Sequence, residues 1–377
     1  MGCAASSTAQ KGPSVDSIIA SVHKKSDATL DLSAAPKSAD APAGALAVLG
    51  LSMDGKVPDA AWACVGVTTL SLKGNHLGSL SPKLAQLSAL RVLDVSENGL
   101  TSLPEGLAAL EALEVLDCSE NQLTAFPDGL AKLSKLKVLK AWVNQLKALP
   151  DGFGSDSVLE DLNVYNNKLT KLPPSLSEAS SLKLVNFGAN KLKTLPSLDQ
   201  WLSVEELRLH QNSLVSQFLP SFAGLVALTL LKIERNLPLS ELPAFGVHPL
   251  LKAIECNNCS LETLVVDKAS LPALEYLTVH QNRIGALPAL DLAELTTLNA
   301  GGNPLTQIPD LSRCPKLRVL TVDDCGLVSI NRAFKPANHP DLARLVISGN
   351  LDLSKKARAA VDAFAKTTAA NDGWIRG

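Results

Sequence analysis

The sequence predicts an α/β solenoid: an arc of about 13 stacked repeats with a parallel concave sheet and short helical or 3-10 convex segments. Three observations carry that expectation. One frame recurs at a near-constant spacing, its first half alternates apolar and polar residues, and its second half carries the signals of a short helical turn.

The frame is plainest in LRVLDVSENGLTSLP from Leu90, LEVLDCSENQLTAFP from Leu113 and LKVLKAWVNQLKALP from Leu136. Its asparagine slot recurs at Asn75, Asn98, Asn121, Asn144, Asn167, Asn190, Asn212, Asn236, Asn282, Asn303 and Asn350, with Cys259 and Cys325 replacing asparagine twice. The mean step is about 23 residues. On a strand, alternate side chains face opposite ways. Leu93 and Val95 are therefore expected inside, with Asp94 and Ser96 outside. Asparagine carries both donors and acceptors, which suits it to satisfy backbone where the chain leaves the sheet. Cysteine fits that slot as a small, mostly buried residue. The frame L-x-x-L-x-L-x-x-N-x-L identifies the chain as similar to leucine-rich repeat proteins.

The outer halves open with Pro104-Glu-Gly-Leu, Pro127-Asp-Gly-Leu and Pro150-Asp-Gly-Phe. Proline followed by an acid suits the start of a helix, and the glycine and short length limit it to one or two turns, partly 3₁₀. No repeat can bury its own leucines, so the repeats stand as a stack across 67–353. Residues 46–66 read as an N-terminal cap or degenerate repeat through Leu46, Leu49, Leu51 and Asp54. Residues 354–377 read as a closing helix and tail, with Ala359, Val361, Ala363 and Phe364 as its apolar positions.

Residues 1–45 are rich in Ala, Ser, Lys, Asp and Pro without sustained periodicity, and read as a disordered tether. Within them, TLDLS at Thr29 resembles a repeat strand, a candidate edge strand for the cap. Met1, Gly2 and Ser6 match the acceptor pattern for N-myristoylation, and Cys3 sits where S-palmitoylation accompanies it. One acyl chain holds a membrane only marginally, so the two lipidation sites Gly2 and Cys3 are expected to act together. The rival readings are an accidental Met-Gly start and a chloroplast transit peptide. The expected location is cytoplasmic, peripheral on a membrane, the plasma membrane first.

A net charge of -2 gives no reason to expect a nucleic-acid partner. No run of residues is apolar enough over 18 positions to span a bilayer, and the first thirty lack the apolar centre of a secretory signal. Seven cysteines without framework spacing fit a reducing compartment. Cys256-Asn-Asn-Cys259 looks like a redox or zinc pair, but the frame puts Cys256 in an inward strand slot and Cys259 in the asparagine slot. His210 and His280 share a column three strands apart, roughly 14 Å, too far to share a metal. No catalytic motif, metal site or cofactor site is expected, and Trp201 reads as core filler.

The partner-binding surface is expected on the concave sheet. Aromatics are 4% of the chain, so outward Trp142 and Tyr165 are informative, because Trp, Tyr and Arg most often dominate interfaces. Trp142, Tyr165, Arg208, His210, Lys232, Arg235 and Tyr276 form the candidate surface. Asp94, Glu97, Asp117 and Glu120 make an acidic stretch beside Lys140 that would orient a basic partner.

The 23-residue frame resembles the plant Ras-group-related and Ras suppressor-like repeat proteins. That resemblance implies a non-enzymatic scaffold or adaptor whose partners include small GTPases or phosphatases. The alternative is a soluble sensor that recognises a peptide or small ligand without any membrane tether.

Overall fold

The computed structural model describes residues 28–31, 57, 59–370 and 374–376. Gly2, Cys3, Leu46, Leu49, Leu51 and Asp54 lie outside the described residues. The chain divides into two compact units, Met1–Asp161 and Leu162–Gly377.

In the first unit, β1 (Ala28–Asp31), β2 (Val67–Ser71), β3 (Val92–Asp94), β4 (Val115–Asp117) and β5 (Val138–Lys140) are consecutive parallel neighbours. β1 is the TLDLS segment: Leu30 aligns with Leu70 and Asp31 with Ser71, so a strand stands inside the stretch read as a disordered tether. The repeat frame sets the register, with Leu93 opposite Leu116 and Leu116 opposite Leu139. Short helix α1 (Asp59–Trp62) precedes β2 and buries Ala61 and Trp62.

The boundary between the units falls within β6 (Asp161–Asn163). The second unit holds β7 (Leu184–Asn186), β8 (Glu206–Arg208), β9 (Leu230–Lys232), β10 (Ala253–Glu255), β11 (Tyr276–Thr278) and β12 (Thr297–Asn299) as parallel neighbours. β13 (Gln307–Ile308) leaves this sheet to pair with β15 (Ser329–Ile330). β14 (Val319–Thr321), β16 (Arg344–Val346) and β17 (Trp374–Arg376) extend the main sheet. Helix α2 (Lys355–Ala370) turns Ala357 and Phe364 inward while Ala359 and Ala363 are exposed. The spacing of seven residues is that of one helical face.

Leu93 and Val95 are buried as expected. Ser96 faces the sheet surface yet is only 3% exposed, because its hydroxyl folds back 2.6 Å onto Asp94. Opposite the sheet, Glu105–Ala109 and Asp128–Lys132 are 3₁₀ turns that start after Pro104 and Pro127. The third expected turn, after Pro150, does not form. The glycine of these turns also permits their stacking: a Cβ on Gly129 would run into Ala108 Cβ.

Along the ladder, asparagines tie neighbouring coils. Asn121 Nδ2 donates to the carbonyls of Val95 (2.9 Å), Cys118 (3.1 Å) and Ser119 (3.0 Å), and its Oδ1 accepts from Leu100 N–H (2.9 Å). In the second unit, Asn190, Asn212, Asn282 and Asn350 repeat this pattern. The cysteine exceptions have a backbone reason that small size alone does not supply. The N–H that Asn Oδ1 would accept comes from two residues past the preceding asparagine. Before Cys259 that residue is Pro238, which has no N–H, and before Cys325 it is Leu305, whose N–H is already bound to Asn303 O at 2.7 Å. A slot with no donor to satisfy no longer needs the asparagine acceptor.

The residue before each asparagine adopts the left-handed region: φ is 54° at Glu97, 51° at Glu120 and 53° at Val143. Glu97 N–H and Glu120 N–H thereby stay in the ladder, donating to Ser119 O and Trp142 O. A β-branched residue is costly in that region. Val143→Gly should raise stability by about 0.5–1 kcal/mol, the steric relief outweighing the added chain entropy of glycine. A higher urea midpoint at unchanged m-value is the expected reading.

Candidate protein-binding face

In the first unit the outward face is acidic and internally bonded. Asp94 accepts from Ser96 N–H and Oγ, and Asp117 from Ser119 N–H and Oγ. Lys73 pairs with Glu97 at 2.9 Å, a hydrogen bond that raises the lysine pKa. The half-buried Trp142 stands on this face, in the slot two before Asn144, where the alternation put it. Along the rim where the strands begin runs a charge ladder the frame reading overlooked: Arg91 meets Glu114 at 2.7 Å, and Lys137 reaches the same carboxylate at 3.4 Å. The Arg91 guanidinium holds the Glu114 carboxyl below its usual range. Its sequence signal is alternating sign at one slot, 23 residues apart.

In the second unit, the face carries Tyr165, then, beyond the coil of Gly188, Arg208 and His210 on one coil and Lys232 and Arg235 on the next. Tyr165 and His210 rings lie 5.4 Å apart at 30°, although Gly188 occupies the coil between them. The absent side chain is the reason: a Cβ on Gly188 would overlap the imidazole. Burial, then the nearby Lys232 and Arg208 charges, push the His210 pKa down, so the ring is neutral at neutral pH. Arg208 is held by Glu206 at 2.6 Å and Lys232 by Glu255 at 2.9 Å, so these cations are part of paired sets. Glu206 and Glu255 were not among the expected site residues; the x-R-x alternation and the 23-residue offset are their sequence signals. Arg235 is exposed at the left-handed slot, φ 58°, and Tyr276, 39% exposed, begins β11 two strands beyond Lys232.

Further along this column, polar atoms remain unsatisfied by the chain itself. His210 Nδ1, Glu234 Oε2, His280 Nδ1 and Asp323 Oδ1 are buried without a hydrogen-bond partner. Burial raises the Glu234 pKa. Asp323 leans over Gly301 as His210 leans over Gly188.

The cysteine pair reads as packing. Cys256 and Cys259 are both buried free thiols; burial pushes the Cys259 pKa up to about 11 and that of Cys256 well above its ordinary value. A thiol so far from ionisation is a poor nucleophile. Trp201 is fully buried and donates from Nε1 to Leu176 O at 2.8 Å. Among the described residues, no group of three or more potential metal ligands gathers, and no helix is long and apolar enough to cross a membrane.

Comparison with known proteins matches this geometry. A family profile described as a leucine-rich repeat region matches residues 67–300. A leucine-rich repeat protein of Leptospira interrogans superposes with a TM-score of 0.67 at 21% identity, covering 95% of this chain and 98% of that one. YopM, a leucine-rich effector protein of Yersinia pestis, is 30% identical at a TM-score of 0.55, covering 74% and 77%. The plant peptide hormone receptor RGFR1, solved in complex with RGF2, is 18% identical at a TM-score of 0.62, covering 78% of this chain and 53% of that one. A search of curated proteins finds no match. The repeat frame, the parallel strand ladder and the matched profile agree, and the chain belongs to the leucine-rich repeat family.

Proposed function

We propose that the protein is a non-enzymatic interaction scaffold, held on the cytoplasmic face of the plasma membrane by myristoylation of Gly2 and palmitoylation of Cys3. The sheet face of the second unit would present the Tyr165–His210 pair to a protein partner, with small GTPases and phosphatases as the first classes to test; Trp142, in the first unit, is a separate candidate contact. The observation that carries the binding reading is the Tyr165–His210 stack across Gly188. It is a rigid aromatic surface set before any partner arrives, which lowers the ordering cost of association. A plant peptide hormone receptor of the same fold, solved in complex with RGF2, supports a binding role for such a chain.

Two readouts test this. Alkyne-myristate labelling and membrane fractionation should show wild type labelled and membrane-bound, Gly2→Ala unlabelled and soluble, and Cys3→Ser labelled but largely soluble, since one acyl chain anchors marginally. An unlabelled, soluble wild type would end the tether reading and leave the soluble sensor. Tyr165→Ala should weaken partner capture by about tenfold or more while the fold is retained. Unchanged capture would move the site off this face.

A further inference from the structure

Where α2 begins, a cleft of about 670 Å³ opens between the helix and the segment from β15 to the turn at Pro336–Asn338. Its floor is apolar and fixed: Phe334 stacks on Phe364 of the helix, ring centroids 4.4 Å apart. Its rim carries Arg332, Lys335 and Lys356, all exposed, and no carboxylate lines it. None of these three cations has an ion pair among the described residues; other cations of the second unit, Arg235 and Lys268 among them, are likewise without one, and what sets these three apart is that they line one cleft. Asn331, Ser329 and Ser354 add polar side chains around the same opening.

The helix start adds an electrostatic conflict. α2 opens on Lys355 and Lys356 with no acidic residue in its first turn. Cations at a helix N-terminus oppose the helix dipole and lose stability unless an anion offsets them. A local choice that works against its own element is expected where another requirement rules the sequence.

We propose that this cleft binds a phosphate monoester carried on an apolar or aromatic body. A three-cation rim without a carboxylate suits a dianion, the Arg332 guanidinium offers a planar fork for phosphate oxygens, and the Phe334 floor receives the body. The volume falls in the range of small-molecule sites. The phosphate could be that of a soluble ester or of a lipid headgroup. This proposal is independent of acylation and of the sheet face.

The test uses the full chain made without acylation, with phenyl phosphate as the soluble probe and phosphatidylcholine vesicles with and without phosphatidic acid as the lipid probe. Wild type should bind phenyl phosphate saturably, with NMR shifts centred on Ala357 and Ala360. Arg332→Ala and Lys356→Ala should each weaken binding by about tenfold, the loss of one charge-assisted contact. Lys268→Ala, away from the cleft, should leave it unchanged, and circular dichroism should show all variants folded. Binding to phosphatidic acid vesicles that phenyl phosphate competes away assigns the headgroup; binding of the soluble ester alone assigns a small metabolite. Absence of saturation with both probes, or equal binding by folded Arg332→Ala, overturns the proposal.

Discussion

Asn121→Ala should cost about 3 kcal/mol or more and decouple the coils on either side of it. The two amide hydrogens are shared among the carbonyls of Val95, Cys118 and Ser119, and Oδ1 accepts from Leu100 N–H. Alanine leaves that N–H buried and unsatisfied, which alone costs about 1–3 kcal/mol, and removes three further contacts worth about 1 kcal/mol each at most. These bonds run between coils, so the loss falls on the nearest-neighbour coupling that holds a solenoid together. Urea unfolding should shift to lower midpoint and become less cooperative, and Leu100 should lose its hydrogen-exchange protection. A loss below about 1 kcal/mol would mean that water satisfies the slot. The same account says that Cys259→Asn gains nothing. Pro238 supplies no N–H, so a new Oδ1 there would be buried without a donor. Any stabilisation by that variant would contradict the donor argument.

Acidification should loosen the second unit before the first. His248 is 0% exposed, its Nδ1 set 2.9 Å from Leu225 O and its ring edge-on to Phe245. His339 is 2% exposed between Phe334 and Phe364. Burial lowers both pKa values: at His248 against the opposing Leu225 carbonyl, at His339 against the Cys314 backbone and the Asp310 carboxylate. The folded pKa therefore lies below the unfolded value near 6.5. Above that pH both states are neutral and stability is full. Below it only the unfolded chain takes up the proton, so stability falls until the pH reaches the folded pKa. Each histidine contributes a slope of up to about 1.4 kcal/mol per pH unit in that window. Among the described residues the first unit holds no buried histidine, and strands β3 to β5 should not share the effect. Hydrogen exchange between pH 7 and 5 should show protection falling around Leu225 and Phe364 while strands β3 to β5 hold. His339→Phe should flatten the response; an unchanged acid profile in that variant would assign the lability elsewhere.

Much of the molecule was legible before any coordinates. The leucine spacing and the asparagine slot determine the parallel strands, their register and the inward set, because each coil must bury the same face against its neighbours. The frame also demoted Cys256 and Cys259 to packing, and their buried, hard-to-ionise thiols agree. What sequence reading missed depends on contacts between coils. TLDLS marks the strand at Ala28–Asp31 only as a candidate inside a tether-like composition; its alignment with Val67–Ser71 is a tertiary pairing that no frame shows. The 3₁₀ turn expected after Pro150 is missing where Gly152 stands at φ 122°, outside the helical region, although Phe153 beside it is buried.

The site divides the same way. Alternation alone put Trp142, Tyr165, His210 and Lys232 on the outward face. Only the tertiary structure decided that Tyr165 and His210 touch, because that contact needs the space left by Gly188 on the intervening coil. It also decided that Lys232 is bound to Glu255 on the next coil, while Arg332, Lys335 and Lys356 line one cleft with no carboxylate to answer them. A repeat fixes which way each side chain points, since that follows from local geometry and a common register. Which charges meet depends on side chains from coils 23 residues apart and on how the last repeat meets its closing helix, and no single frame encodes that.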